Sequence, residues 1–352
     1  MRLKDLSVEL GLSITTVSRA LAGYPDVSRT TRERVRDFAE RVGYVPSRAG
    51  RALVSGNSGV VGLILPRRVR DEPSRATFVS AYLGEIVTVV SETLADSGLA
   101  VSVATPRQHQ SDLDLLHHLV DGQGVDGVVL ADRIRTHEER VSYLIDRQLP
   151  FVAYGRVLDE IRPHSWLDSD GVGAFAEAAR MLVALGHREF GLMTFAEPLT
   201  FARHRQKGLE DTLREYGIRL SKGAVASIER FEERTVASAA FQLLTLEPRP
   251  TAILCVTDAL ALKLVEFAAG MSIRVPDDLS VIGFDNVSAA AHISPGLSTF
   301  DQRVTDSATE IGCLLKRQLD QGTASAGTRI MAADFVARGS HGRPPAGAYG
   351  AT

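Results

Sequence analysis

The stretch GLSITTVSRAL, residues 11–21, constrains the rest of the chain more than any other. Leu3, Leu6 and Leu10 before it, and Val17 and Leu21 within it, recur at three- and four-residue spacing, which places each set on one face of a short helix. Gly11, Leu12 and Ser13 leave room only for a tight turn between the two helices. Ser13 is placed to cap the second helix, because its hydroxyl can accept a backbone N–H two or three residues on. From that cap Val17, Ala20 and Leu21 turn inward, while Ile14, Thr15, Thr16, Ser18 and Arg19 fall on or near the outer surface. A short polar face that ends in arginine suits a helix entering a DNA major groove, where a guanidinium can bond bidentately to a guanine edge. A plain helical hairpin carries the same pattern, so the following residues decide.

Ser28 is a candidate cap for a third helix over 30–43, in which Val35, Phe38, Ala39 and Val42 form the apolar stripe and Gly43 supplies the stop. Next comes YVPSRAGRALVSGNSG, 44–59, a brief helix-like piece bounded by Pro46 and a Ser/Gly/Asn run. With TTVSRAL, VSRTTRERV, the GYVPS junction and the RAL of the hinge in consistent order, the N-terminal segment resembles the DNA-binding headpiece of the lactose-repressor/galactose-repressor family.

Carried over position by position, the resemblance implies that Ile14 and Thr15 choose bases, Arg19 reads a guanine, and Ser13, Thr16, Ser18, Ser28 and Thr31 contact phosphates. It also implies that Leu53 wedges into a central minor-groove step, from a hinge helix too short to be stable off DNA. The chain departs from the family pattern at Arg2, Ala22, Gly50 and Val54. Gly50, in a hinge-helix interior, is expected to cost about 1 kcal/mol per subunit relative to alanine.

At 352 residues, 44% apolar and 24% charged, the chain is long enough for more than one globular domain. It has no apolar run of membrane-spanning length and MRLKDL lacks the apolar core of a signal peptide, so a cytoplasmic location is expected. Cys255 and Cys313 sit among apolar residues without a CxxC or Cys/His cluster, which predicts buried free thiols. The net charge of −3 hides an asymmetry: through Asn57 there are ten basic and six acidic residues, so the headpiece is +4 and the remainder −7. A basic module that meets phosphates and an acidic body that stays off them fit that division.

After Gly59 the pattern becomes strand–helix alternation: strands at 59–66, 99–105, 125–131 and 150–155 with helices at 78–97, 111–120 and 137–147. A second series follows, with helices at 174–187, 203–217, 236–246 and 259–270 and strands at 189–195, 251–257 and 278–286. Val/Ile/Leu-rich strands between amphipathic helices predict parallel sheets covered on both faces. LVALGHREFGLM, RPTAILCVTD, VPDDLSVIGFDN and ISPGLSTFDQ resemble the periplasmic-binding-protein-like domain of the same family. That resemblance implies three crossings between lobes, with 299–321 returned to the first. The expected organisation is thus an all-α helix-turn-helix headpiece at 1–46, a hinge at 47–59, a two-lobed α/β effector-binding and dimerisation domain at 60–340, and a disordered tail at 341–352.

In open α/β lobes a ligand binds beyond the carboxyl ends of the strands. Asp285, after SVIGF, and Arg205, in TFARHRQKG, match the family's ligand-binding positions. Thr257, Arg156, Tyr82, Leu83, Asp132, Arg133, Phe201 and Gln302 complete the candidate effector set, while Asp258 is expected to cap a helix. Carboxylate, guanidinium and aromatic groups together favour a neutral polyhydroxylated ligand over a phosphate. YGRV followed by HSWLDSD resembles the branch associated with α-glucoside operons.

GQGVDG precedes its strand rather than following it, which excludes a dinucleotide fingerprint, and the histidines lack metal-ligand spacing. No cofactor or metal is expected. An enzyme would need Asp258 and Asp285 to act as a glycosidase pair, and no hydrolase or nucleotide-binding motif accompanies them. The expected partners are operator DNA, a small sugar and a second copy of the chain, with no membrane. Whether the sugar releases the DNA or acts as a corepressor stays open.

Overall fold

The computed structural model describes residues 2–44, 57–66, 73–107, 109–131, 134–158 and 162–346. The expectations for Leu53, Gly50 and the rest of the hinge core, and for Asp132 and Arg133, lie outside the described residues.

Three helices form the headpiece: α1 (Leu3–Leu10), α2 (Ile14–Leu21) and α3 (Arg29–Arg41). Gly11 ends α1 at φ +63, a conformation in which a side chain is strained, and the N–H of Leu12 closes on Ser7. Ser13 caps α2 by accepting the Thr16 N–H at 3.0 Å, and Ser28 caps α3 by accepting the Thr31 N–H at 3.2 Å. Leu6, Leu10, Val17, Ala20, Val27, Val35 and Ala39 make a core of seven buried residues. Arg34 Nη2 donates to the Leu10 carbonyl at 3.0 Å, satisfying an acceptor that the end of α1 leaves open.

The first lobe is a six-stranded parallel sheet made of β1 (Val60–Ile64), β2 (Ala100–Ala104), β3 (Gly127–Leu130), β4 (Phe151–Tyr154), β5 (Ser165–Ser169) and β11 (Thr328–Met331), in the order β11-β5-β4-β3-β1-β2. Val61 sits between Val101 and Gly127, and this register runs the buried residues Val61, Leu63, Val128 and Val129 through the middle of the layer. Helix α4 (Pro73–Ala95) and the late helix α11 (Val304–Gln321) cover one face through Ile86, Val90, Leu94, Ile311 and Leu315. Helices α5 (Asp112–His117) and α6 (Glu139–Asp146) cover the other through Leu116, Val141 and Leu144. Of the expected 299–321, residues 304–321 return to the first lobe, whereas Thr299–Asp301 stays with the second, where Phe300 is buried in the core.

The second lobe has β6 (Phe190–Phe195), β7 (Val225–Ile228), β8 (Ala252–Cys255) and β9 (Ser280–Ile282), parallel in the order β7-β6-β8-β9. Around them lie α7 (Gly171–Leu185), α8 (Thr200–Glu215), α9 (Glu233–Leu244) and α10 (Asp258–Gly270). A Cβ at Gly208 would meet the Val172 carbonyl at 2.2 Å, so only glycine lets α7 and α8 approach this closely. β10 (Thr299–Asp301) and β12 (Asp334–Val336) form an antiparallel pair against this lobe.

The chain crosses between lobes near Asp170, at 302–303 and at 332–333, and the first and third crossings touch through the Asp170 N–H on the Met331 carbonyl at 2.7 Å. A further, non-covalent link joins the lobes. Thr136 N–H bonds Pro198 O at 2.9 Å, Thr200 N–H bonds Ile134 O at 3.0 Å, and Arg135 binds Asp112 of the first lobe and Glu197 of the second at 3.1 and 3.0 Å.

Two expectations are corrected. The tail is anchored at its start: Ser340 is buried and hydrogen-bonded to Val281, His341 Nδ1 lies 2.7 Å from Ser298 Oγ, and buried His187 meets the Gly342 carbonyl at 2.9 Å. Glycine and proline content concealed a strap tied by polar partners distant in sequence. Of the two thiols, Cys255 is buried in β8 but Cys313 is exposed on α11, because apolar neighbours on a helix need not share its face. Among the described residues no helix is long and apolar enough to cross a membrane.

Candidate functional site

Two surfaces concentrate chemistry. On the headpiece, Ile14 is 45% exposed, large for an isoleucine, and Thr15 and Arg19 are also exposed on α2. Thr16 and Ser18 are half-buried beside them, and Thr31 lies at the start of α3. Ser13 and Ser28 use their oxygens as helix caps and share a further hydrogen bond with the hydroxyls of Thr16, at 2.8 Å, and Thr31, at 2.7 Å, which leaves one hydroxyl proton of each pair for an external acceptor. The face therefore presents a branched apolar group, several hydroxyls and the Arg19 guanidinium.

The second surface is a cavity of about 190 Å³ between the lobes. It sits at the carboxyl ends of the central strands: Ala131 follows β3, Gly155 follows β4, Asp168 and Ser169 end β5, Phe195 ends β6, Thr257 follows β8 and Asp285 follows β9. Of the expected effector residues, Tyr82, Leu83, Phe201, Arg205, Thr257, Asp285 and Gln302 line it together. Arg156 does not. Its Nε lies 2.9 Å from Asp168 Oδ2 and its guanidinium rests 5.6 Å from the Trp166 ring, so it supports a lining residue from behind.

Arg205 is buried, its guanidinium carbon 3.5 Å above the centre of the Phe284 ring and 4.9 Å from Phe201. Nη1 donates to the Val256 carbonyl, and Nε has no acceptor among the described residues. Burial pulls its pKa below the usual arginine value, while Asp285 and Asp168 act in the opposite direction. Asp285 stands at φ +128 and accepts Gln302 Nε2 at 3.0 Å. Burial raises its pKa to about 8 against the lowering influence of Arg205. Asp168 takes Arg156 on one side and His204 Nδ1, at 3.2 Å, on the other. Tyr82 and Tyr154 stack at 6.3 Å, and burial raises both phenols.

Asp258 departs from its expected role. Thr257 caps α10, its oxygen facing the Leu260 N–H at 3.4 Å, and Asp258 is the next residue, buried and accepting from Val287 N–H at 3.0 Å and Thr299 Oγ1 at 2.5 Å. It clamps the loop that carries Asp285. A Cβ at Gly283 would meet its Oδ1 at 2.1 Å, which requires glycine there. Burial raises the Asp258 pKa to about 6. Sequence reasoning missed Tyr154, Asp168, Ser169, Thr200 and Phe231 in the lining. For Asp168 and Ser169 the available signal was the position at the carboxyl end of a buried strand, hidden because SWLDS lacks a Val/Ile run.

A three-helix headpiece with an exposed recognition helix, joined to two α/β lobes that enclose a largely apolar cleft with a few buried charged groups, defines a ligand-responsive DNA-binding protein. The chain matches the family model for bacterial regulatory proteins of the lacI family over residues 2–47, and that for a periplasmic binding protein-like domain over 179–341. The transcriptional regulator AglR of Rhizobium meliloti (strain 1021) is 33% identical over 287 residues, 82% of this chain and 78% of that one. The solved complex of the transcriptional regulator CelR with cellobiose is similar at a TM-score of 0.70 and 25% identity, covering 97% of this chain and 99% of that one. The lac repressor dimer bound to operator and the anti-inducer ONPF shares the fold, with a TM-score of 0.76 at 21% identity over 97% and 98% of the two chains. This chain belongs to the lacI family and is a DNA-binding transcriptional repressor.

Proposed function

We propose that the chain is a cytoplasmic, homodimeric repressor of a carbohydrate uptake or catabolism operon, and that a small neutral sugar seated between its lobes releases it from a pseudo-palindromic operator. The observation that carries this reading is the composition of the cleft. Arg205 acts on Asp285 and Asp168, and Arg156 pairs with Asp168, so two guanidiniums offset two carboxylates, and apolar rings surround them. A phosphorylated ligand would meet two carboxylates, whereas hydroxyls can donate to Asp285 and accept from the Arg205 guanidinium. The CelR complex with cellobiose supports a sugar, and the α-glucoside resemblance puts α-glucosides first among those to try.

In this reading Ile14 and Thr15 select bases, Arg19 reads a guanine, and Ser13, Thr16, Ser18, Ser28 and Thr31 hold phosphates. Leu53 opens the central minor-groove step. Tyr82, Leu83, Phe201, Arg205, Thr257, Asp285 and Gln302 contact the sugar. Closure of the lobes on the sugar changes the spacing of the two hinges in the dimer, and both cannot then remain in the groove.

The test is fluorescence anisotropy at fixed salt, with DNA from upstream of the chain's own gene and of neighbouring transport genes, against a panel of mono- and disaccharides. Tight binding that one sugar abolishes is the expected result. Binding that appears only with a sugar reverses the sign of coupling, and no binding under any condition removes the operator reading.

A further inference from the structure

The loop between α2 and α3, residues 22–27, turns back over the end of the recognition helix. Gly23 takes φ +78, Tyr24 N–H donates to the Arg19 carbonyl at 3.0 Å, and Arg32 Nη1 donates to the carbonyls of Gly23 and Tyr24 at 3.1 Å each. The loop so fixed brings two side chains to Arg19. The Tyr24 ring centre lies 5.1 Å from the guanidinium carbon, and Asp26 Oδ2 lies 2.9 Å from Nη2.

Stability does not account for this carboxylate. Both members of the pair are nearly half exposed, and exposed ion pairs contribute little to folding. On a basic module that meets phosphates, a negative charge beside the reading face opposes DNA binding of any sequence.

We propose that Asp26 is a positioning residue for base reading. It holds the guanidinium of Arg19 by Nη2 while Tyr24 supports its face, which leaves four of the five N–H donors for O6 and N7 of one guanine. An arginine held before it meets the groove has fewer rotamers to lose there and cannot swing to a phosphate. Asp26 thus weakens contact with DNA in general and sharpens discrimination at one base pair. The inference rests on the reading that α2 enters the operator's major groove.

The test uses the full-length chain and a duplex that the wild-type protein selects from a random pool, together with a set of duplexes changed at one base pair at a time. Arg19→Ala marks the symmetric position that the arginine reads, by flattening discrimination there. Asp26→Asn is expected to lose about tenfold of discrimination at that same position, as for a weakened bidentate contact. Other positions keep theirs, and affinity for a random duplex rises severalfold. Asp26→Glu is expected to restore most of the discrimination. Unchanged discrimination in Asp26→Asn, or an equal loss at every position, overturns the proposal and leaves operator reading intact. Failure of the wild-type chain to enrich any sequence overturns both.

Discussion

The headpiece and the cleft solve opposite problems. The headpiece draws its chemistry from residues close together in the chain, Ser13 to Thr31, and displays it outward over a core of seven buried residues. The cleft gathers Tyr82, Asp168, Arg205, Asp285 and Gln302 from across the sequence and buries charge beneath aromatic rings. The first arrangement suits a long polyanion that must be met along a surface, and the second a small molecule that must be stripped of water. They also differ in how they fail. A small core collapses as a unit, whereas a buried charge network loses function when one counter-charge is removed.

The largest expected effect follows from the smaller core. Leu6→Ala removes a side chain with no exposure from α1 and should cost about 2–5 kcal/mol, enough to unfold so small a domain. Operator binding should fall more than a hundredfold while calorimetric sugar binding stays unchanged. A parallel loss of sugar binding would break the separation of the two regions.

Next is the reverse case. Arg205→Met keeps much of the volume but strips Asp285 of its counter-charge, and should weaken sugar binding by roughly 10–150-fold, the range for hydrogen bonds from a charged group. Operator affinity without sugar should hold, and release by sugar should vanish. These two readings in one variant locate Arg205 in response rather than in DNA contact.

A pH profile sharpens the comparison further. Burial raises Asp285 to about 8, far above an exposed carboxyl near 4, so the folded chain retains a proton that the unfolded chain gives up. The resulting stability is complete below about pH 4 and is lost as pH rises through about 8. Asp258, raised to about 6, has the same sign but finishes earlier. The melting temperature should therefore keep falling between pH 6.5 and 8.5 in the wild type and level off there in Asp285→Asn. On the proposal that sugar hydroxyls donate to the ionised carboxylate, sugar affinity should climb with pH up to about 8, with a proton released on binding that buffer-dependent calorimetry detects. The headpiece has no comparable buried acid among its described residues, so operator affinity without sugar should lack this dependence.

The smallest effect concerns the link across the cleft mouth. Glu197→Gln removes one partner of the partly exposed Arg135 and should shift lobe closure by under about 1 kcal/mol, seen as a severalfold change in sugar affinity that high salt erases in the wild type.

The same contrast decides how much was legible in the sequence. Helix caps at Ser13 and Ser28, the apolar stripes and the Val/Ile/Leu strands are local signals, and each stands where the pattern put it. Arg205 and Asp285 were placed by resemblance, and they line the cavity. Tertiary partners were hidden. Asp168 and Ser169 end a strand whose polar letters resemble a loop, Asp258 follows a threonine that takes the capping role, and Arg156 is drawn away by Asp168. His341 and Gly342 are tied by His187 and Ser298, far off in the chain. Burial of a polar group depends on partners that spacing does not reveal.

The central claim is that a ligand between the lobes acts on the headpiece. The most direct measurement is the rate at which the protein leaves a fluorescent operator after rapid mixing with a sugar that calorimetry has shown to bind the cleft. The rate should rise with sugar concentration to a plateau in the wild type and stay flat in Arg205→Met. A rate unaffected by every sugar that fills the cleft would contradict it.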